Sequence, residues 1–199
     1  MKTHVQVAVI GGGVVGCSVL YHLTKLGWSD VCLIERSELT SGSTWHAAGG
    51  FHTLNADPNM AALQGYTIKL YKELEALTGL NCGLHHVGGI TLADSPERMD
   101  FIKAARAMHR HMGLDTHIIS PEEIKKLSPI VNTQGILGAL YDPLDGHLDP
   151  SGTTHAYAKA AQIQGAEIYL RNPVTDLKQR PDGSWDITTK NGMVHAEHV

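Results

Sequence analysis

The sequence predicts an α/β protein built on a parallel βαβ unit, from three adjoining features. A β-branched run, Val5 to Ile10, ends abruptly in Gly11-Gly12-Gly13. Behind it the apolar period lengthens to helical spacing over Val14 to Leu26, with Val15, Val19, Leu23 and Leu26 in step and Gly27 placed as the stop. Val31-Cys32-Leu33-Ile34 then reads as a second buried strand closed by Glu35. Strand, helix and strand within about thirty residues form a parallel βαβ unit.

Arg36 to Asn55 has little apolar periodicity and is rich in Ser, Thr and Gly, so it reads as a loop. An amphipathic helix is expected from Met60 to Leu77, stopped at Gly79, then a strand from His86 to Ala93. Pro96 to Met112 reads as a charged surface helix ending at Gly113, Pro121 to Leu127 as a short helix, and Ile136 to Tyr141 as extended chain. Asp149-Pro150 opens a further helix, the acid as cap and the proline in the first turn, which runs to Gln164 and stops at Gly165. Glu167 to Leu170, Val174 to Gln179 and Trp185 to Thr189 read as successive strands, with turns at Pro181-Asp182-Gly183 and Asn191-Gly192. Met193 to Val199 begins another strand and stops in mid-pattern, which reads as a truncated chain.

The 199 residues are 42% hydrophobic and 18% charged, the balance of a globular protein. A net charge of −4 without a basic stripe argues against nucleic acid. The first apolar run is too short for a signal or membrane helix, so a cytoplasmic location is expected, or the mitochondrial matrix after removal of a transit peptide. Cys17, Cys32 and Cys82 form no C-x-x-C pair and are expected to be free thiols. His85-His86 and His109-Arg110-His111 lack zinc spacing, so no metal is expected. Asp142 and Asp145 read as turn residues beside Pro143 and Gly146. No G-x-S-x-G nucleophile elbow is present.

Gly11-Gly12-Gly13-Val14-Val15-Gly16 satisfies G-x-G-x-x-G with a strand entering and a helix leaving, which marks a dinucleotide site. Gly11 permits the tight turn, Gly13 admits a pyrophosphate to the backbone, and Gly16 lets helix and strand pack closely. The helix N-terminus then offers unpaired N–H groups to the anion. Glu35 follows Gly16 by nineteen positions, where a carboxylate can accept from ribose hydroxyls and would repel a 2′-phosphate. The fingerprint leaves FAD and NAD both open. A nicotinamide dehydrogenase would continue as a regular βαβαβ after Glu35, against which stand the long Gly/Ser loop and the later run of strands.

Glu35-Arg36 followed by Ser41-Gly42-Ser43-Thr44-Trp45-His46-Ala47-Ala48-Gly49-Gly50 resembles the dimethylglycine and sarcosine dehydrogenase family, within the wider group of D-amino-acid-oxidase-like flavoproteins. The likeness runs through Asp145-Gly146-His147-Leu148-Asp149-Pro150 to the final strands. It implies a three-layer, glutathione-reductase-like Rossmann domain binding FAD, residues 1–80 and 150–199, with part of a mixed-sheet substrate domain inserted at 81–149. It implies a covalent bond from a ring nitrogen of His46 to the flavin 8α carbon. A histidine suits this chemistry because an imidazole, with an ordinary pKa of about 6.5, offers a neutral nitrogen near neutrality. The resemblance also implies cofactor contacts at Gly11, Gly13, Val14, Val15, Gly16, Glu35, Arg36, the Gly42 to Gly50 loop and the backbone of Val174. The substrate implied is an N-methylated amino acid, the electron acceptor an electron-transfer flavoprotein or oxygen, and the catalytic residues and a tetrahydrofolate region lie beyond Val199. Two relatives of the same fold remain as alternatives: an amino-acid oxidase with noncovalent FAD, and a regulatory protein without turnover.

Overall fold

A computed structural model describes residues 1–53, 55 and 57–199. Leu54, within the loop expected over Arg36 to Asn55, and Ala56 lie outside the described residues. In chain order the elements are β1 (His4–Ile10), α1 (Val14–Lys25), β2 (Val31–Ile34), a 3-10 turn (Thr44–His46), β3 (Gly50–Phe51), α2 (Pro58–Thr78), β4 (Gly89–Ala93), α3 (Pro96–His111), β5 (His117–Ile119), α4 (Pro121–Leu127), β6 (Gly138–Asp142), β7 (Gly146–His147), α5 (Pro150–Ile163), β8 (Glu167–Tyr169), β9 (Val174–Gln179), β10 (Trp185–Thr189) and β11 (Gly192–His198). They form two compact units, Met1–Ala48, Tyr71–Gly83 and Asp149–Val199 in the first, Gly49–Leu70 and Leu84–Leu148 in the second.

The first unit holds a six-stranded sheet in the order β8-β2-β1-β11-β10-β9. Its first four strands are parallel, and β10 and β9 continue it antiparallel as a meander. All four residues of β2 are buried, as a continuous apolar run demands when both faces of a parallel strand are covered. Val5, Ala8, Cys32, Ile34, Ile187, Val194 and Ala196 make the core on this sheet, with Tyr169, Val174 and Trp185 against it. The meander turns fall where expected, Gly183 (φ +89) and Gly192 (φ +125) supplying the left-handed backbone. Helix α5 buries Ala156, Ala158, Ala160 and Ala161, whose small side chains let it lie close against α1, with Tyr21 and Tyr157 rings 5.7 Å apart.

Helix α1 forms as expected, but its apolar stripe does not face the core. Val15 and Leu26 are 74% and 78% exposed, while Cys17, Leu20, Tyr21 and Thr24 are buried. Both sides of this helix carry apolar residues, so the period fixes the helix and leaves its rotation open.

In the second unit, β6 lies between β4 and β5, antiparallel to both. Successive residues of β6 point to opposite faces: Leu140 joins Ala93 and Ile102 of α3, and Ala139 joins Ile119 and Ile124 of α4. Ser95 caps α3, and a reciprocal Ser120–Glu123 capping box opens α4. The strand expected from His86 starts only at Gly89. Gly88 (φ +79) precedes it, and a Cβ there would lie 2.4 Å from the Tyr141 ring, so the chain turns before it pairs. β3, β5 and β7, of two or three residues each, are too short for alternation to reveal.

Candidate cofactor site

The site in the first unit is built on the turn between β1 and α1. Gly11 takes φ +110, and its N–H donates to the Ile34 carbonyl at 2.9 Å, tying the turn to the end of β2. A Cβ on Gly16 would sit 2.0 Å from the Gly11 carbonyl oxygen, so only glycine lets the helix leave this closely. A Cβ on Gly13 would meet one atom within 4 Å, Thr44 Oγ1 at 3.0 Å, which leaves that flank of the turn otherwise open. Helix α1 has no acid in its first turn and no side-chain cap from Gly13. The first-turn N–H groups of a helix have no intrahelical partners and carry its positive end, so the turn suits a diphosphate.

Glu35 is buried at the end of β2, its Oε2 accepting from Gly12 N–H at 2.6 Å and its Oε1 from Ser37 N–H at 2.8 Å. The carboxylate thus buttresses the glycine turn from behind. Each oxygen keeps a lone pair for a ribose hydroxyl. Glu35 is also framed through its backbone, its N–H donating to Tyr169 O and its carbonyl accepting from Asn172 N–H, both at 2.9 Å. Val174, half-buried at the start of β9, follows two residues later. Arg36 is exposed.

The loop after Arg36 folds back onto the glycine turn. Thr40 N–H donates to Gly12 O at 2.9 Å, and Val14 N–H to Thr44 Oγ1 at 3.0 Å. Thr40 does so at φ +68, a left-handed conformation that costs a β-branched residue about 1–3 kcal/mol and is found where a functional loop is held in place. Thr44 is buried, and it begins the 3-10 turn that ends at His46, whose N–H donates to Ser43 O. His46 and Trp45 are exposed, with ring centroids 3.8 Å apart. His46 Nδ1 lies 3.2 Å from the Gly42 carbonyl oxygen. Since a carbonyl only accepts, this contact selects the tautomer with the proton on Nδ1 and the free lone pair on Nε2. Ala47 and Ala48 are exposed beyond the turn. Gly49 and Gly50 belong to the second unit, where Gly50 pairs with His147.

The turn reading of Asp142 and Asp145 captured only part of their role. Asp142 Oδ1 accepts from Leu144 N–H at 2.9 Å, as a turn residue does. Both acids are nevertheless buried, at 1% and 3% exposure, within the second unit. Asp142 also accepts from the Thr53 hydroxyl, and Asp145 from Thr53 N–H at 3.0 Å and from His52 Nδ1 at 2.9 Å. Burial pushes the Asp145 carboxyl up from its ordinary value, opposed by His52 and Thr53. The partners stand about ninety positions apart in the chain, so no local motif reveals the pairing. Among the described residues no three His, Cys, Asp or Glu side chains cluster as a metal ion would need, and no helix is long and apolar enough to cross a membrane.

A glycine turn at a helix N-terminus, tied by Thr44 and buttressed by a buried acid, defines an α/β dinucleotide-binding protein. More narrowly, the chain belongs to the FAD dependent oxidoreductase family, DAO, whose profile matches residues 6–199. It is 44% identical over 198 residues to mitochondrial dimethylglycine dehydrogenase of Rattus norvegicus, covering 100% of this chain and 23% of that protein. It is 41% identical to mitochondrial sarcosine dehydrogenase of Homo sapiens, covering 87% of this chain and 19% of that one. The chain therefore spans about a quarter or less of these relatives' length. Its fold is shared with L-proline dehydrogenase from P. horikoshii at a TM-score of 0.90 and 24% identity, over 100% of this chain and 53% of that structure.

Proposed function

We propose that this chain is the FAD-binding part of an oxidoreductase acting on the N-methyl C–N bond of dimethylglycine or sarcosine, with the flavin bonded to His46. The observation that carries the reading is the turn Thr44–His46, which presents an exposed imidazole from a loop anchored on the glycine turn. Gly11, Gly13, Val14, Val15 and Gly16 would cradle the diphosphate, Glu35 and Arg36 the adenosine ribose, and the backbone of Val174 the adenine. The Gly42 to Gly50 loop would line the flavin. Residues 1–80 and 150–199 would form the FAD-binding domain and 81–149 part of the substrate domain.

Bound FAD would supply a two-electron acceptor for the amine. This chain's own residues bind and orient. Gly42 O holds the Nδ1 proton of His46, so Nε2 is the nitrogen left to bond the 8α carbon. Attachment would join Nε2 to the 8α carbon, one hydrogen leaving that carbon and the other leaving Nδ1, where Gly42 O accepts from it. The flavin ring would supply the acceptor for these two hydrogens and their electrons, with dissolved dioxygen as the final oxidant, reduced to hydrogen peroxide. In turnover the acceptor would be an electron-transfer flavoprotein or oxygen, and released one-carbon units would pass to tetrahydrofolate in another region of the protein. The compartment would be the cytoplasm or the mitochondrial matrix.

Acid precipitation of the complete gene product tests attachment: yellow, fluorescent flavin should stay in the pellet. Flavin released wholly to the supernatant would favour the oxidase with noncovalent FAD. Assays with dimethylglycine, sarcosine and D-amino acids test the substrate. Tightly held FAD without turnover of any of them would point to the regulatory relative.

A further inference from the structure

We propose that Thr44 is a positioning residue for flavin attachment, a strut that fixes His46 relative to the diphosphate end of the cofactor before FAD arrives. The inference rests on the attachment at His46 proposed above. Helix α1 begins after Gly13, which has no side chain to cap it. The oxygen that takes the first N–H, from Val14, comes instead from Thr44, thirty positions along the chain. Two residues after Thr44 stands His46, and Ala47 N–H closes the turn onto Thr44 O at 3.2 Å. One hydroxyl therefore joins the element that would hold the diphosphate to the turn that carries the nucleophile.

The rest of the loop supports the strut without replacing it. Thr40 N–H on Gly12 O is a second tie, but it lies six residues before His46, with exposed Ser41, Gly42 and Ser43 between. Thr44 is buried among exposed neighbours on both sides, and α5 lies against the same turn. Space also argues for a designed contact, since a Cβ on Gly13 would press on Thr44 Oγ1 at 3.0 Å. FAD is long, and its 8α carbon is far from its phosphates. A tether of fixed length between the two binding elements turns attachment into a reaction of preset geometry, where a misplacement of about 1 Å costs on the order of a hundredfold in rate.

The test follows covalent incorporation over time after FAD is added to the complete apoprotein, scored as acid-stable fluorescence, beside the noncovalent dissociation constant and Tm. Thr44→Val keeps the shape and removes the acceptor. It should still bind FAD while attaching it about tenfold or more slowly, and Thr44→Ser should attach at close to the normal rate. A Thr44→Val protein that attaches FAD as fast as the wild type overturns the proposal and leaves attachment at His46 standing. A wild-type protein without acid-stable flavin overturns both. Amide hydrogen exchange of the wild-type apoprotein gives a readout that no variant's folding can spoil. The Val14 N–H should be protected, and rapid exchange there would contradict the strut.

Discussion

At the residue scale, the glycines and the acid of the turn carry the sharpest expectations. Gly16→Ala would bring its methyl within 2.0 Å of a backbone carbonyl that cannot move without moving β1. It should destabilise the protein by about 1–3 kcal/mol and lose bound FAD, read as a fall in Tm and in absorbance of the purified protein. Glu35→Gln keeps the size but replaces one carboxylate acceptor by an amide donor facing Gly12 N–H or Ser37 N–H. FAD binding should weaken about tenfold or more by loss of a charge-assisted bond, measured by fluorescence titration of the apoprotein. Both residues were legible in the sequence because their constraint is local: a spacing, a strand before and a helix after. The grip of Glu35 on Gly12 was not, nor that of Thr44 on Val14, because a spacing says which residues meet a ligand and nothing of how they hold one another.

At the scale of elements, the sequence read the helices and longer strands well and erred where burial is set by partners distant in the chain. The exposed stripe of α1 and the buried pair Asp142–Asp145 are the two instances, the second invisible because Thr53 and His52 come from far upstream. His109, on α3, is a buried titratable group of the second unit. Its Nδ1 lies 3.3 Å from Thr116 Oγ1, and burial holds its pKa below the ordinary 6.5, against the opposing pull of Asp142 and Asp145. The native state therefore takes up a proton less readily than the unfolded chain. The stability that follows is complete above about pH 6.5 and declines as pH falls through that value toward the depressed native pKa. Asp145 acts in the opposite sense at lower pH, because its raised pKa makes the native state the better proton acceptor. Between about pH 7.5 and about pH 5.5, Tm should fall more steeply for the wild type than for His109→Gln. Parallel curves would show that His109 does not govern this limb.

At the scale of the whole molecule, the thiols report on the core and the flavin on the function. Burial pushes the Cys17 and Cys32 thiols up to about 12, and the Cys82 thiol upward as well. A buried thiol is a poor nucleophile, so none should react with a thiol reagent in minutes at neutral pH until the protein is unfolded. Rapid native labelling of Cys17 or Cys32 would mean that α1 or β2 opens readily. The fold class and the glycine turn were legible from the chain because a dinucleotide fold writes its constraints within about forty residues, whereas the FAD family came from the resemblance of the loop Ser41 to Gly50. Substrate choice would be written in the substrate domain of which residues 81–149 are proposed to form part, so the proposed N-methyl specificity rests on relatives. The account turns on His46, and mass spectrometry of a tryptic digest tests it most directly. The peptide Ser37–Lys69 should carry the mass of FAD less two hydrogens, with fragment ions placing it on His46, and His46→Ala should yield that peptide unmodified. An unmodified Ser37–Lys69 peptide from yellow wild-type protein, or flavin mass on any other residue, would contradict the account.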